Sequence, residues 1–274
     1  KQFCLKGIKI QSQNVAIIAK AFQGSKISNL SLINCLSNDI LDYFSGYFLN
    51  NQNLRYLNLS ENKSKIPTTF LSSFLTCPNI LSMDFSDCAL CQEDITSISK
   101  LLQINQTITE LILSNNTIDS QGCSMIGYSL KKNTSLQKIN LNNCGITQES
   151  LMLLFDQSGQ NLKEVILDNN PIGDPGLLGL CTFLKTNKVL HILSIKNCNI
   201  SELGIKPFIS CGLLVQAAKI IINMENNKEI KEDLYPLFSE KEEIFKANFI
   251  LLFSQNKIKR SADKLKQLTF IELV

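Results

Sequence analysis

One histidine, two arginines and no apolar run long enough to span a bilayer leave the 274-residue chain few of the usual routes to chemistry or to membranes. His191 is the lone imidazole. It lies just before the central residues of a predicted strand, with no serine or cysteine that the sequence designates as a partner, so no nucleophile-base pair is assigned. The most apolar runs, Phe249 to Phe253 and Ile220 to Ile222, are far too short for a membrane span, and the start does not read as a signal peptide. With 27 basic and 24 acidic residues the formal charge is only +3, which gives no general attraction to nucleic acid or to a membrane surface.

No phosphate-binding glycine loop is present. Gly173, Gly176 and Gly179 fit a turn and close helix packing better than a dinucleotide fingerprint. Cys88-Ala-Leu-Cys91 is a CxxC without a second one to complete a zinc site. Catalytic, cofactor-binding and metal-ligating residues are therefore all expected to be absent, as is a small-molecule substrate. The chain opens on Lys1 rather than Met, which fits a fragment of a longer protein.

What is abundant is a cadence. Ile108, Leu111, Leu113, Asn116 and Ile118 follow the spacing apolar, two, apolar, one, apolar, two, Asn or Cys, one, apolar. It returns from Leu136 (Ile139, Leu141, Cys144, Ile146), from Leu162 (Val165, Leu167, Asn170, Ile172) and from Leu190 (Leu193, Ile195, Cys198, Ile200). Upstream it starts at Ile80 (Met83, Phe85, Cys88, Leu90), Leu54 (Leu57, Leu59, Asn62), Ile27 (Leu30, Leu32, Cys35) and Leu5 (Ile8, Ile10, Gln13, Val15), making eight copies with a period near 26 to 28 residues. This is the pattern of a leucine-rich repeat.

Within each copy the apolar pair one residue apart has the period of a strand with one buried face. Apolar residues then return at helical spacing: Ile95, Ile98 and Leu102; Cys123, Ile126 and Leu130; Leu151, Leu154 and Phe155; Leu177, Leu180, Cys181 and Leu184. Asp174-Pro175 suits a capped first turn. Successive strands must pair in parallel about 4.8 Å apart while helices need about 8 to 10 Å, which predicts curvature. The expected fold is α/β: a leucine-rich repeat solenoid (horseshoe), with a parallel β-sheet on the concave face and helices on the convex face. Residues 1–228 hold eight to nine repeats, counting a weak ninth strand at Ile222, Met224 and Asn227. Residues 229–274 read as a helical C-terminal cap, with helices over Glu242 to Phe253 and Ala262 to Phe270.

Cys35, Cys88, Cys144 and Cys198 occupy equivalent positions in alternate repeats. At two strand spacings, about 10 Å apart, they lie beyond disulfide reach, which predicts free thiols and a reducing compartment. Seven Asn-x-Ser/Thr sequons, at Asn29, Asn58, Asn62, Asn105, Asn115, Asn133 and Asn199, follow from abundant asparagine rather than from secretion.

The long period, the helical second half and the alternation Cys35, Asn62, Cys88, Asn116, Cys144, Asn170, Cys198 resemble the ribonuclease-inhibitor-like subfamily of leucine-rich repeats. Asn170-Pro-Ile-Gly-Asp-Pro-Gly is similar to its Asn-type repeat and Cys144-Gly-Ile-Thr to its Cys-type repeat. The 22-residue spacing of the first two copies and an irregular turn at Ser64 to Thr69 depart from it. The resemblance implies a cytosolic protein-binding scaffold; members include ribonuclease inhibitors, Ran GTPase-activating proteins, tropomodulin-like actin regulators, NOD-like receptors, and centrosomal and axonemal proteins. It implies protein partners in a multi-subunit assembly, cytoplasmic and cytoskeletal or ciliary, with GTPase activation through an exposed arginine such as Arg55 as the alternative.

The ladder residues Asn62, Asn116 and Asn170 are expected to tie turn backbone together. Binding is expected on the concave face, where side chains flanking the buried pair point outward: Tyr56, Asn58, Glu61, Asp84, Asp87, Glu110, Ile112, Lys138, Asn140, Glu164, Ile166, Asp168, Ile192 and Lys196. Tyr56, Ile112, Ile166 and Ile192 are the anchors in an otherwise polar, mostly acidic surface. A basic tail, Lys257, Lys259, Arg260, Lys264 and Lys266, offers a second contact for an acidic partner.

Overall fold

The computed structural model describes residues 1–23, 25–36, 40–48, 51–63, 65–75, 77–156, 159–212, 220–229, 236, 239, 249–253, 266–268 and 271–273. Two compact units make up the chain, Lys1–Asn140 and Leu141–Val274.

In the first unit strands and helices alternate: β1 (Gln2–Lys6), α1 (Ser12–Gln23), β2 (Asn29–Ile33), α2 (Ile40–Phe48), β3 (Tyr56–Asn58), α3 (Thr68–Ser72), β4 (Ser82–Asp84), α4 (Gln92–Ile104), β5 (Glu110–Ile112), α5 (Ser120–Lys132) and β6 (Lys138–Asn140). Each strand pairs in parallel with the next, so the sheet order is the chain order. The second unit continues with α6 (Gln148–Phe155), β7 (Glu164–Ile166), α7 (Gly173–Thr186), β8 (Ile192–Ser194), α8 (Glu202–Gly212), β9 (Ile220–Asn223), β10 (Phe249–Phe253) and β11 (Ile271–Leu273). Its strands pair in parallel in the same consecutive manner.

The core is the one the cadence predicts. Leu57, Met83, Leu111 and Ile139 in the first unit, and Val165, Leu193 and Ile222 in the second, are all at most 2% exposed. The helical positions Ile95, Ile98, Leu102, Cys123, Ile126, Leu130, Leu151, Leu154, Leu177, Leu180 and Leu184 are buried against them. At roughly 1.5 to 3 kcal/mol per large side chain, these residues supply the hydrophobic stabilisation of each repeat. Helix starts carry their caps: the Asp119 carboxylate accepts the Gly122 N–H at 2.7 Å, and the Thr147 hydroxyl accepts that of Ser150 at 3.3 Å.

Two expectations are corrected. The first strand is Gln2–Lys6, which sets Phe3 beside Leu30 and Leu5 beside Leu32. Ile8, assigned from sequence to the buried pair, is 65% exposed. Phe3/Leu5 and Ile8/Ile10 both have the strand period, but α1 begins at Ser12, and a strand over Ile8 to Ile10 leaves no room for the turn. At the other end, Phe249–Phe253 is a strand paired with β9 rather than the end of a capping helix. Five consecutive apolar residues read equally as buried strand or buried helix. Most of the expected cap, including Glu242 to Ala247, Ala262 to Leu265 and four of the five tail cations, lies outside the described residues.

The irregular repeats near the start are filled by aromatics. Phe22, Phe44, Phe48, Phe70 and Phe74 form a chain of rings, with Phe48 stacked on Phe74 at 5.5 Å between centroids and edge-on to Phe70 at 5.8 Å. Large flat side chains occupy the volume that the five-residue α3 leaves open. The irregular turn before α3 is held by buried Asp94, whose carboxylate accepts the N–H of Ile66 at 3.0 Å and of Cys91 at 2.9 Å.

The open sheet face as candidate binding site

Strands β2 to β9 end the same way, and that ending sets where the outward side chains stand. A residue with left-handed backbone precedes every ladder position: Asn34, Glu61, Asp87, Asn115, Asn143, Asn169, Asn197 and Asn226, with φ from 48° to 63°. Asparagine and aspartate tolerate this region best after glycine, which accounts for six asparagines and an aspartate among the eight.

The ladder residue follows. Asn116 Oδ1 accepts the N–H groups of Cys88 (3.0 Å) and Leu90 (3.2 Å) from the preceding repeat. Its Nδ2 donates to the carbonyls of Phe85, Leu113 and Ser114 at 2.9, 2.8 and 3.3 Å. Asn62 repeats the arrangement on Cys35 and Leu36, and Asn170 on Cys144 and Ile146. The Cys-type positions answer with a thiol: Cys88 Sγ donates to the Leu59 carbonyl and Cys198 Sγ to that of Leu167, both at 3.2 Å. Burial pushes the Cys88 and Cys198 thiols up to about 12 and that of Cys35 to about 11. Cys35, Cys88 and Cys198 are free thiols, as the alternate-repeat spacing requires.

A second ladder, unread in the sequence, runs along the helix C-termini. Asn105, Asn133 and Asn187 each follow a helix and are buried. Asn133 donates to the Leu102 and Asn105 carbonyls and accepts from the N–H groups of Ser135 and Leu136. Asn105 and Asn133 appeared only as sequons, and their burial leaves no space for a glycan. The available signal was the recurrence of Asn three residues before each apolar start, at Ile108, Leu136 and Leu190.

These ladders consume the turns and leave the strand residues between them to face outward. In the first unit two rows cross the sheet: Tyr56, Ser82, Glu110 and Lys138, then Asn58, Asp84, Ile112 and Asn140. Tyr56 is 44% exposed, and it, Asn58, Asp84 and Ile112 line one hollow of about 240 Å³. Gln2, Asn29 and Ser31 also line it, and of these the misplaced first strand hides only Gln2. Polar contacts fix the walls. Asn58 Nδ2 donates to Asp84 Oδ2 at 3.0 Å, Ser82 donates to Glu110 at 2.7 Å, and Lys138 reaches the other Glu110 oxygen at 3.4 Å. Glu61 and Asp87 stand beyond the strands, in the turns, where Lys6 and Lys63 meet them at 3.1 and 3.7 Å.

In the second unit Glu164, Ile166 and Ile192 take outward strand positions, with Ile192 37% exposed. Asp168 accepts the Ser194 hydroxyl and the Lys196 N–H at 2.6 and 2.8 Å, and Lys196 Nζ meets Glu225 at 2.6 Å. Arg55 is exposed, immediately before β3, and His191 exposed, immediately before β8. Gly173 has φ +67°, and a Cβ on Gly176 would sit 2.3 Å from Ile172 Cγ2, so both serve the turn and the helix approach. Among the described residues no three His, Cys, Asp or Glu side chains gather to hold a metal ion, and no helix is long and apolar enough to cross a membrane.

A family model described as Leucine Rich repeat matches residues 50–63, 105–127, 132–155 and 160–181. Ribonuclease inhibitor of Mus musculus is 33% identical over 128 residues, 45% of this chain and 28% of that protein. The inhibitor of Sus scrofa is 30% identical over 145 residues, covering 52% and 32%. NACHT, LRR and PYD domains-containing protein 5 of Mus musculus is 33% identical over 159 residues, covering 56% and 14%. The chain thus spans about a third or less of the length of these relatives. A solved structure of leiomodin-1 actin-binding site 2 overlaps 47% of this chain and 76% of its own, at 20% identity and a TM-score of 0.41, too loose a match to argue from. Parallel strands in chain order, the cadence and the alternating ladder define a leucine-rich-repeat protein. Within that class, the Cys-type and Asn-type turns and the relatives place the chain in the ribonuclease-inhibitor-like subfamily.

Proposed function

We propose that the chain is a non-catalytic scaffold that binds other proteins through the open face of its sheet. Leucine-rich repeats in general mediate protein–protein interaction. The observation that carries the reading here is the division of labour among side chains. The buried apolar side chains build the core and the buried ladder asparagines hold the turns, while Tyr56, Asn58, Asp84 and Ile112 surround a hollow on the outward face of the strands. An aromatic anchor in a polar rim is the anatomy of a protein interface. In this reading residues 1–228 carry the repeats, strands β10 and β11 continue the binding sheet beyond them, and the partner belongs to a larger intracellular assembly. On the same reading the assembly is cytoskeletal, as it is for the subfamily's centriolar, ciliary and axonemal members.

The test is a photo-crosslinking residue placed at Tyr56, on the sheet face, or at Tyr128, 53% exposed on α5, followed by mass spectrometry of adducts formed in native extract. Adducts from position 56 and not from 128 are expected. Adducts confined to position 128, or a chain that stays monomeric and unlinked at both, would overturn the reading. Exposed Arg55 is the sole residue behind a GTPase-activating alternative. That alternative predicts faster GTP hydrolysis by a small GTPase with the wild-type chain and not with Arg55→Ala, whereas the scaffold leaves the rate unchanged.

A further inference from the structure

Two rows of side chains cross the open face of the second unit. In the first, Glu164, Ile192, Ile221 and Ile250 are register neighbours; in the second, Ile166, Ser194, Asn223, Leu252 and Glu272. Ile192 and Ile221 are each 37% exposed, and Ile166, Ile250 and Leu252 are half-buried. The alternate residues Val165, Leu193, Ile222 and Leu251 are fully buried on the other side of the sheet, so the outward aliphatics are not needed for the core. The equivalent rows of the first unit carry a single aliphatic, Ile112. A contiguous apolar strip without a structural role marks an interaction surface.

The chemistry around the strip selects its occupant. Glu164 opens one row and exposed Glu272 ends the other, and Asp168 and Glu225 stand in the turns beyond the strands. Among the described residues the cation in these turns, Lys196, is held by Glu225 at 2.6 Å. A second copy laid on the strip would set carboxylates against carboxylates. The strip also presents on the order of a few hundred Å², below the roughly 800 Å² per partner of a stable dimer. An anionic bilayer meets the same repulsion.

We infer that this strip docks a peptide segment of another protein whose aliphatic or aromatic side chains are flanked by lysine or arginine. The inference rests on the sheet face being the binding surface and adds which part of it is apolar and what charge the partner carries. The probes are three fluorescent twelve-residue peptides, alternating Leu with Lys, Leu with Glu, and Ser with Lys, titrated by anisotropy against the full chain. The Leu/Lys peptide is expected to bind at least about tenfold more tightly than the other two. Ile192→Ser/Ile221→Ser should weaken it at least about tenfold, the conservative Ile192→Val/Ile221→Val should retain most of it, and Tyr128→Ser, on α5, should leave it unchanged. Circular dichroism checks that the exposed-site variants fold. Absent binding, equal binding of the Leu/Lys and Leu/Glu peptides, or binding that survives the double serine change would overturn the inference. The scaffold reading fails separately: if position 56 crosslinks a partner while the strip variants change nothing, the sheet face stands and the strip does not.

Discussion

At single residues the turns show how far the side chain is dictated by backbone. After Cys88, Cys144 and Cys198 the chain enters the left-handed region once more: Ala89 at φ 50°, Gly145 at 72° and Asn199 at 65°. Gly145 accepts this without strain, whereas a Cβ there costs about 1 to 2 kcal/mol. Ala89 is exposed and occupies the same place. Ala89→Gly is therefore expected to raise stability by about 1 kcal/mol, and Gly145→Ala to lower it by a similar amount, read from urea midpoints at constant slope. Nothing lies within 4 Å of a Cβ built on Gly145, so the loss would report backbone strain and not a clash. An unchanged midpoint in both variants would refute this account of the Cys-type turn. Cys144-Gly145 displays the requirement in the sequence; Cys88-Ala89 conceals it, because alanine carries no turn signal.

At the level of the repeat the asparagine ladder does what no hydrophobic contact can. Asn116 is 2% exposed and satisfies two N–H groups and three carbonyls that the turn would otherwise bury unpaired. Each unpaired buried polar group costs about 1 to 3 kcal/mol, so Asn116→Ala is expected to cost on the order of 3 to 5 kcal/mol after local rearrangement. Asn115→Ala, next door and exposed, should cost far less. Denaturant melts of the two variants decide it, and comparable losses would show that the ladder is not the source of the stability. The strand-and-ladder pattern was legible because a 26- to 28-residue period repeats each requirement many times. Where the pattern appears once, the sequence is ambiguous. Phe3/Leu5 competed with Ile8/Ile10 for the first strand, and Phe249–Phe253 carries no polar residue to set a period. That second ambiguity also hid Ile250 and Leu252, and with them the extent of the apolar strip. The asparagines at helix C-termini, Asn105, Asn133 and Asn187, are concealed for a different reason: asparagine is abundant throughout the chain, and only the fold shows that these reach back to the carbonyls of the preceding repeat.

For the molecule as a whole, burying thiols in the ladders links stability to pH. Desolvation raises the Cys88 and Cys198 thiols from 9.0 to about 12, and the Cys35 thiol, with Lys9 nearby opposing, to about 11. A folded-state value above the unfolded one means that the unfolded chain gives up its protons first as pH rises. The contribution is fully present below about pH 9 and is lost progressively as pH climbs toward 11 for Cys35 and 12 for the other two. Over that window each thiol contributes a slope of about 1.4 kcal/mol per pH unit. Lysine and tyrosine titrations overlap it, so the comparison is between wild type and Cys88→Ala/Cys198→Ala. The double variant should be less stable at pH 7, since it loses two hydrogen bonds to the Leu59 and Leu167 carbonyls, yet its stability should fall less steeply between pH 9 and 11. Parallel alkaline profiles would show that the ladder thiols do not carry the linkage. The same burial separates the cysteines by reactivity: exposed Cys4 and Cys91 should alkylate in the native protein, while Cys88 and Cys198 should react only as each unit opens. Site-resolved alkylation rates therefore measure the opening of the two units independently, through Cys88 for the first and Cys198 for the second.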